Sequence, residues 1–162
     1  MSTGLWIGVV AAVVAALAVA GALWRPLRAA RREARLARAR QQFKLQRERL
    51  EAKFFSLAAS SGKPRGLRWV DCDFDNLVTY ARDRKSGQLS AFVGVTISFE
   101  AIEGGLMEGV EAVGNLRAAT AVFIYGRQGW ETQGRVMFNL NPSEAIAYYV
   151  SLVELVGNEG LS

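Results

Sequence analysis

The chain has 162 residues, 51% of them apolar and 22% charged, with a formal net charge of +5. It holds no histidine, which removes the commonest general base and the usual zinc ligand. The single cysteine, Cys72, excludes an intramolecular disulfide and has no imidazole to activate it as a nucleophile, so a small core residue is the expectation.

Residues 5–24, LWIGVVAAVVAALAVAGALW, are uncharged and apolar throughout. At helical rise such a run spans about 30 Å, the thickness of a bilayer's hydrocarbon core, and predicts a transmembrane helix beginning at Leu5. A cleaved signal peptide is the rival, with Ala18-Val19-Ala20 as the cleavage site. The run is too long for that, and residues 1–4 carry no basic side chain, so a retained signal-anchor is expected. Trp6 and Trp24 lie at the two ends, where amphipathic rings favour the headgroup layer. Arg25, Arg28, Arg31, Arg32, Arg35, Arg38 and Arg40 all follow the run, and positive residues stay in the cytoplasm. The expected topology is a short extracytoplasmic N-terminus, a single pass through the inner (plasma) membrane and a cytoplasmic remainder. Gly4, Gly8, Ala12, Ala16 and Ala20 recur every fourth residue, a small stripe of the kind that lets two helices approach closely. An Ala-rich helix also produces such stripes by composition alone.

Residues 25–53 hold 11 Lys/Arg against three Glu, a net of +8, whereas residues 54–162 hold nine against 12 acids, a net of −3. The basicity therefore belongs to the membrane edge and argues against a generally nucleic-acid-binding domain. Residues 25–58 are rich in strong helix formers and predict a basic helical stalk. Leu36, Phe43, Leu50 and Phe54/Leu57 give it an apolar stripe with a seven-residue beat, but Arg40 and Arg47 spoil the second seam of a coiled coil. Topology and a solvated helix face account for the arginines. Arg25, Arg28, Arg31, Arg32 and Arg35 also lie where they would attract anionic lipid headgroups, all the more if Pro26 bends the helix along the membrane. Nucleic-acid phosphate is a third reading, in which Phe43 is the sole aromatic among the arginines.

Residues 59–66 read as a linker, SSGKPRG being dense in turn formers. Residues 67–158 follow as a small domain, with a tail at 159–162. Leu89, Ala91, Val93, Val95, Ile97 and Phe99 alternate with smaller and polar residues, the period of a half-buried strand. Residues 77–81 read as its hairpin partner through Arg84-Lys85-Ser86-Gly87, and residues 119–125 pair with 135–140 as a second hairpin. Asn141, Pro142 and Glu144 carry the cap, first-position and third-position signals of a helix start. Ile146, Tyr149, Val150, Val153 and Val156 give that helix an apolar face, and Gly157 ends it. Residues 101–115, rich in Gly and Glu, read as a strand extension, a short helix or a mobile flap.

Asp71, Asp73 and Asp75 share one face if their segment is extended, with Cys72 and Phe74 on the other. Carboxylates so placed suit Mg²⁺ or Ca²⁺, although solvation of a strand end needs the same residues, and the Gly and Glu of an EF-hand loop are missing. Gly104, Gly105 and Gly114 form no phosphate-binding motif, and Glu103, Glu108 and Glu111 would repel phosphate.

The expected fold is a single N-terminal transmembrane helix and basic helical stalk, followed by a small α+β domain. That domain would be an antiparallel sheet of about four or five strands with a C-terminal helix packed on it. The expected function is non-catalytic: a membrane-anchored domain for protein interaction or self-assembly, using the acidic Gly-rich loop and sheet aromatics (Trp69, Tyr80, Trp130, Tyr148, Tyr149). The alternatives are a metal-dependent membrane-bound hydrolase or transferase built on Asp71, Asp73 and Asp75, and lipid or nucleic-acid binding by the stalk.

Overall fold

The computed structural model describes residues 2–148 and 152–160. One helix, α1, spans Ser2–Ser60, and the chain divides into two units, Met1–Gln41 and Gln42–Ser162.

In the first unit α1 runs through Pro26. Proline forfeits an intrahelical hydrogen bond, but Ala, Leu and Arg on both sides are strong helix formers and carry the helix across. The apolar run exposes side chains all round: Trp6, Ile7, Leu17, Leu23 and Trp24 are each more than half exposed. Among the described residues this is the one helix long and apolar enough to cross a membrane, and none of its most apolar stretch is buried.

The second unit pairs the last turns of α1 with an antiparallel sheet. Its strands are β1 (Leu67–Asp83), β2 (Leu89–Ala101), β3 (Arg117–Gly126), β4 (Gly129–Glu131), β5 (Val136–Phe138) and β6 (Val153–Gly160). The order is β4-β3-β2-β1-β6, with β5 also paired to β3. The six strands seen among the described residues exceed the expected four or five, β4 within the loop of the second hairpin and β6 being the additional ones.

Register sorts the side chains between the two faces. Tyr80 pairs with Ala91 and Ala91 with Phe123, so these share a face. Phe43 of α1 seats on it, edge-on to Tyr80, Phe123 and Trp130 at ring separations of 6.2, 5.4 and 5.0 Å. Phe54 continues the contact to Phe74 and Phe123. Phe43, Leu50, Phe54 and Ala58 are buried to within about 1%. Phe43, Leu50 and Phe54 of the expected stripe thus meet the sheet while Leu57 is exposed, and residues 42–60, expected as the distal stalk, lie inside the second unit. Trp69, Tyr80 and Trp130, weighed as interaction aromatics, are buried in this core, while Tyr148 is exposed and Tyr149 lies outside the described residues.

On the opposite face Ala81, Phe92 and Val122 pack with Ala145 and Ile146 of a short helix, α2 (Pro142–Tyr148). Its start matches the sequence: Asn141 Oδ1 accepts the Glu144 N–H at 2.9 Å, and Glu144 Oε2 accepts the Asn141 N–H at 2.8 Å. This reciprocal box satisfies two otherwise orphaned donors.

The expected single helix closing at Gly157 is corrected. Residues 153–160 instead form β6 antiparallel to β1, from Leu77↔Gly160 to Asp83↔Val153 with a register shift between Tyr80 and Ala81. Val153 and Val156 lose little as strand residues, and the pairing covers part of an otherwise open edge of β1. Val150 lies outside the described residues. The 101–115 segment resolves into turns with a short 3₁₀ helix at Glu111–Gly114, whose Val113 is buried.

Candidate functional site

The N-terminal half of β1 gathers the features that remain unexplained by packing. β1 has 17 residues, whereas β6 pairs only with Leu77–Asp83. Among the described residues, positions 67–76 therefore have β2 on one side and no strand on the other. The register shifts twice, between Trp69 and Asp71 and again between Phe74 and Val78, the second bulge lying just where β6 stops.

The alternation expected here is present. Asp71, Asp73 and Asp75 are exposed, and Cys72 and Phe74 are half-buried. Phe74 reaches the helix-covered face, with its ring 5.6 Å from that of Phe54. Asp75 lies across Gly94, so close that a Cβ there would meet its Oδ2 at 1.9 Å.

The three aspartates follow one another along the exposed face of the strand. Side chains two residues apart on a strand are rooted about 6.6 Å from one another. Among the described residues no three His, Cys, Asp or Glu side chains converge to hold a metal ion.

Between α1 and the open edge of β1 runs a groove of about 420 Å³ lined by Glu48, Glu51, Ala52, Phe55, Val70, Asp71, Cys72 and Phe74. Its floor is apolar and its rim acidic. Arg47 closes one end: its Nε donates to Glu51 Oε1 at 2.5 Å, and its Nη2 donates to the carbonyls of Asp75 at 2.8 Å and Phe74 at 3.4 Å. Burial, and then the Asp71 charge, push the Cys72 thiol up to about 12. It stays protonated at neutral pH and supplies no thiolate.

A second hollow of about 320 Å³ lies on the other face, where Asp75, Thr96, Asn139, Asn141 and Glu144 surround Gly94 and Ala118. Glu144 is committed to the helix cap, which leaves Asp75 as the other carboxylate lining it.

The other expected sites fall as follows. Arg25, Arg28, Arg31, Arg32 and Arg35 are exposed on α1, with the Arg28 guanidinium 4.9 Å over the Trp24 ring. Gly4, Gly8, Ala12 and Ala16 are exposed as well, and the two glycines have open space about them. Leu5 is helical, and its side chain lies outside the described set. In the acidic loop Ile102, Leu106, Val110 and Leu116 are exposed, Leu106 almost completely.

Arg47, Glu48, Ala52, Phe55 and Val70 had no sequence signal as a site, because the groove exists only once α1 is laid beside β1. The available hint was Phe54-Phe55 falling near a helix turn's multiple after Phe43. No protein-family model matches the chain, and neither does any curated protein or solved structure.

Proposed function

We propose that this is a single-pass membrane protein, N-terminus outside, that presents a small α+β domain at the cytoplasmic face of the inner (plasma) membrane as a non-catalytic protein-interaction module. One observation carries the reading: an uncharged helical segment with apolar side chains exposed on every side. Such a surface is costly in water and requires an apolar surrounding, which a bilayer of matching thickness provides. The arginines that follow it supply the orientation and attract anionic headgroups, at about 1 kcal/mol per residue near the surface. Tethering raises local concentration, so a modest affinity for a membrane-bound partner is enough.

The test is alkaline carbonate extraction of membranes from cells expressing the full chain, followed by photo-crosslinking in intact membranes. The protein should stay in the pellet, and discrete crosslinked adducts should form through the folded domain. Release into the supernatant would overturn the anchor, and absence of any adduct would overturn the interaction module.

A further inference from the structure

We propose that the open edge of β1 takes up an extended segment of a partner protein in which apolar and basic residues alternate, adding it to the sheet as a further strand; this rests on the interaction-module reading and names its partner chemistry. A strand edge presents backbone N–H and C=O groups that a second chain can pair, and an extended ligand gains affinity from that ladder while its alternate side chains give specificity. The edge runs over residues 67–74, about 26 Å at strand rise, with a register shift between Trp69 and Asp71; the Cys72 N–H on it donates to Asp71 Oδ1 at 2.8 Å, a contact that an incoming strand exchanges for its own carbonyl. At its C-terminal end the Arg47 guanidinium already occupies the Phe74 and Asp75 carbonyls, so an incoming strand stops there.

The two sides of this edge differ in chemistry, which fixes the pattern of the ligand. A strand laid beside β1 sends every second side chain toward the α1 face, where Ala52, Phe55, Val70, Cys72 and Phe74 line the groove. The intervening side chains fall on the face that carries the exposed Asp71, Asp73 and Asp75. Apolar residues suit the first set of positions and Lys or Arg the second, because opposite charges across a strand pair stabilise it. Glu48 and Glu51 on the α1 rim of the groove, with Asp71 at its edge, put negative charge on that side as well.

The same charges choose against a second copy of this chain. Pairing two β1 edges would set aspartates against aspartates, and like charges facing each other across strands are destabilising. The other long edge, β6, exposes Glu154 and offers no basic complement. Charged edges are how sheet proteins avoid self-pairing, and the charge that repels a copy attracts a basic strand.

The experiment uses the full chain in nanodiscs of zwitterionic phosphatidylcholine and a labelled peptide of about ten residues alternating Val with Lys, a typical strand length. Two controls are a Val/Lys peptide of identical composition with the lysines in one block, and an alternating Val/Glu peptide. Fluorescence anisotropy should show the alternating Val/Lys peptide binding about tenfold tighter than either control, the effect of two or three cross-strand pairs. Hydrogen exchange should slow at the amides of residues 67–74. Val70→Lys, at a side chain 46% exposed and therefore tolerant, should weaken binding. Asp71→Lys with Asp73→Lys should switch preference to the Val/Glu peptide. Equal binding of the block peptide, exchange protection elsewhere, or no switch in the double variant would overturn the proposal. If crosslinked partners form through the domain while residues 67–74 stay unprotected, this inference fails and the module reading stands. If no partner forms at all, the module reading itself fails.

Discussion

Phe43 illustrates how much of the second unit rests on one side chain. Its ring is 1% exposed and meets Tyr80, Phe123 and Trp130 edge-on, an arrangement worth more than burial alone. Phe43→Ala is expected to destabilise the domain by about 3–5 kcal/mol, read from the urea midpoint of the full chain in detergent. A loss below about 1 kcal/mol would mean that α1 is not seated on the sheet. Gly134 is the counterpart on the loop before β5. Its φ is +68°, and an added Cβ would lie 2.7 Å from the Ala58 nitrogen and 2.8 Å from Leu57 Cβ. Neither the backbone conformation nor the helix can yield cheaply there. Gly134→Ala is expected to cost about 2–4 kcal/mol by combining overpacking with a strained φ, measured by the same unfolding curve.

At the scale of elements, the features legible in the sequence were those encoded locally. The alternation from Leu89 to Phe99 gave β2, and Asn141 with Glu144 gave the start of α2. Residues 153–160 were misread because Val153 and Val156 fit a helix face as well as a strand, and only the open edge of β1 decides between them. The groove was illegible for a related reason, since it joins Glu48 and Phe55 to Val70 and Phe74 across the 59-residue helix's final turns and a separate strand. The hairpin joining β1 to β2 is a case where local chemistry suffices. Asp83 Oδ1 accepts the Ser86 N–H at 2.6 Å, the Ser86 hydroxyl at 2.8 Å and the Lys85 N–H at 2.9 Å. Hydrogen bonds from the Ser86 backbone and hydroxyl hold its carboxyl below the ordinary range. A carboxyl so lowered in the folded state contributes stability that is present above its unfolded pKa, about 3.9, and fades as the pH falls through the folded value. The full chain should therefore lose stability on acidification below about pH 4. Asp83→Ala should be less stable at neutral pH and show a shallower acid dependence, followed by thermal melts across that range. Parallel curves for the two proteins would sink this assignment.

For the whole molecule, the proposed orientation rests on the opposing charges of two stretches, and above all on a few arginines. The +8 of residues 25–53 lies on one side of the apolar run and the −3 remainder beyond it, while no Lys or Arg precedes the run. Positive residues near the end of a span set its direction, and acidic residues farther away contribute little. Replacing Arg25, Arg28, Arg31 and Arg32 with Gln, and placing Lys at Ser2 and Thr3, reverses the local asymmetry while leaving the apolar run intact. In a Cys72→Ser background, Ser86→Cys on the exposed β1–β2 turn reports which side the domain occupies. With the natural arginines an impermeant maleimide should label it only after the cells are opened. With the charges exchanged, a fraction of molecules should become reactive in intact cells, a fraction limited by the need to translocate a folded-length domain. Unchanged protection would show that the domain, and not the arginine asymmetry, dictates topology. Labelling of the natural-charge protein in intact cells would place the domain outside and overturn the orientation.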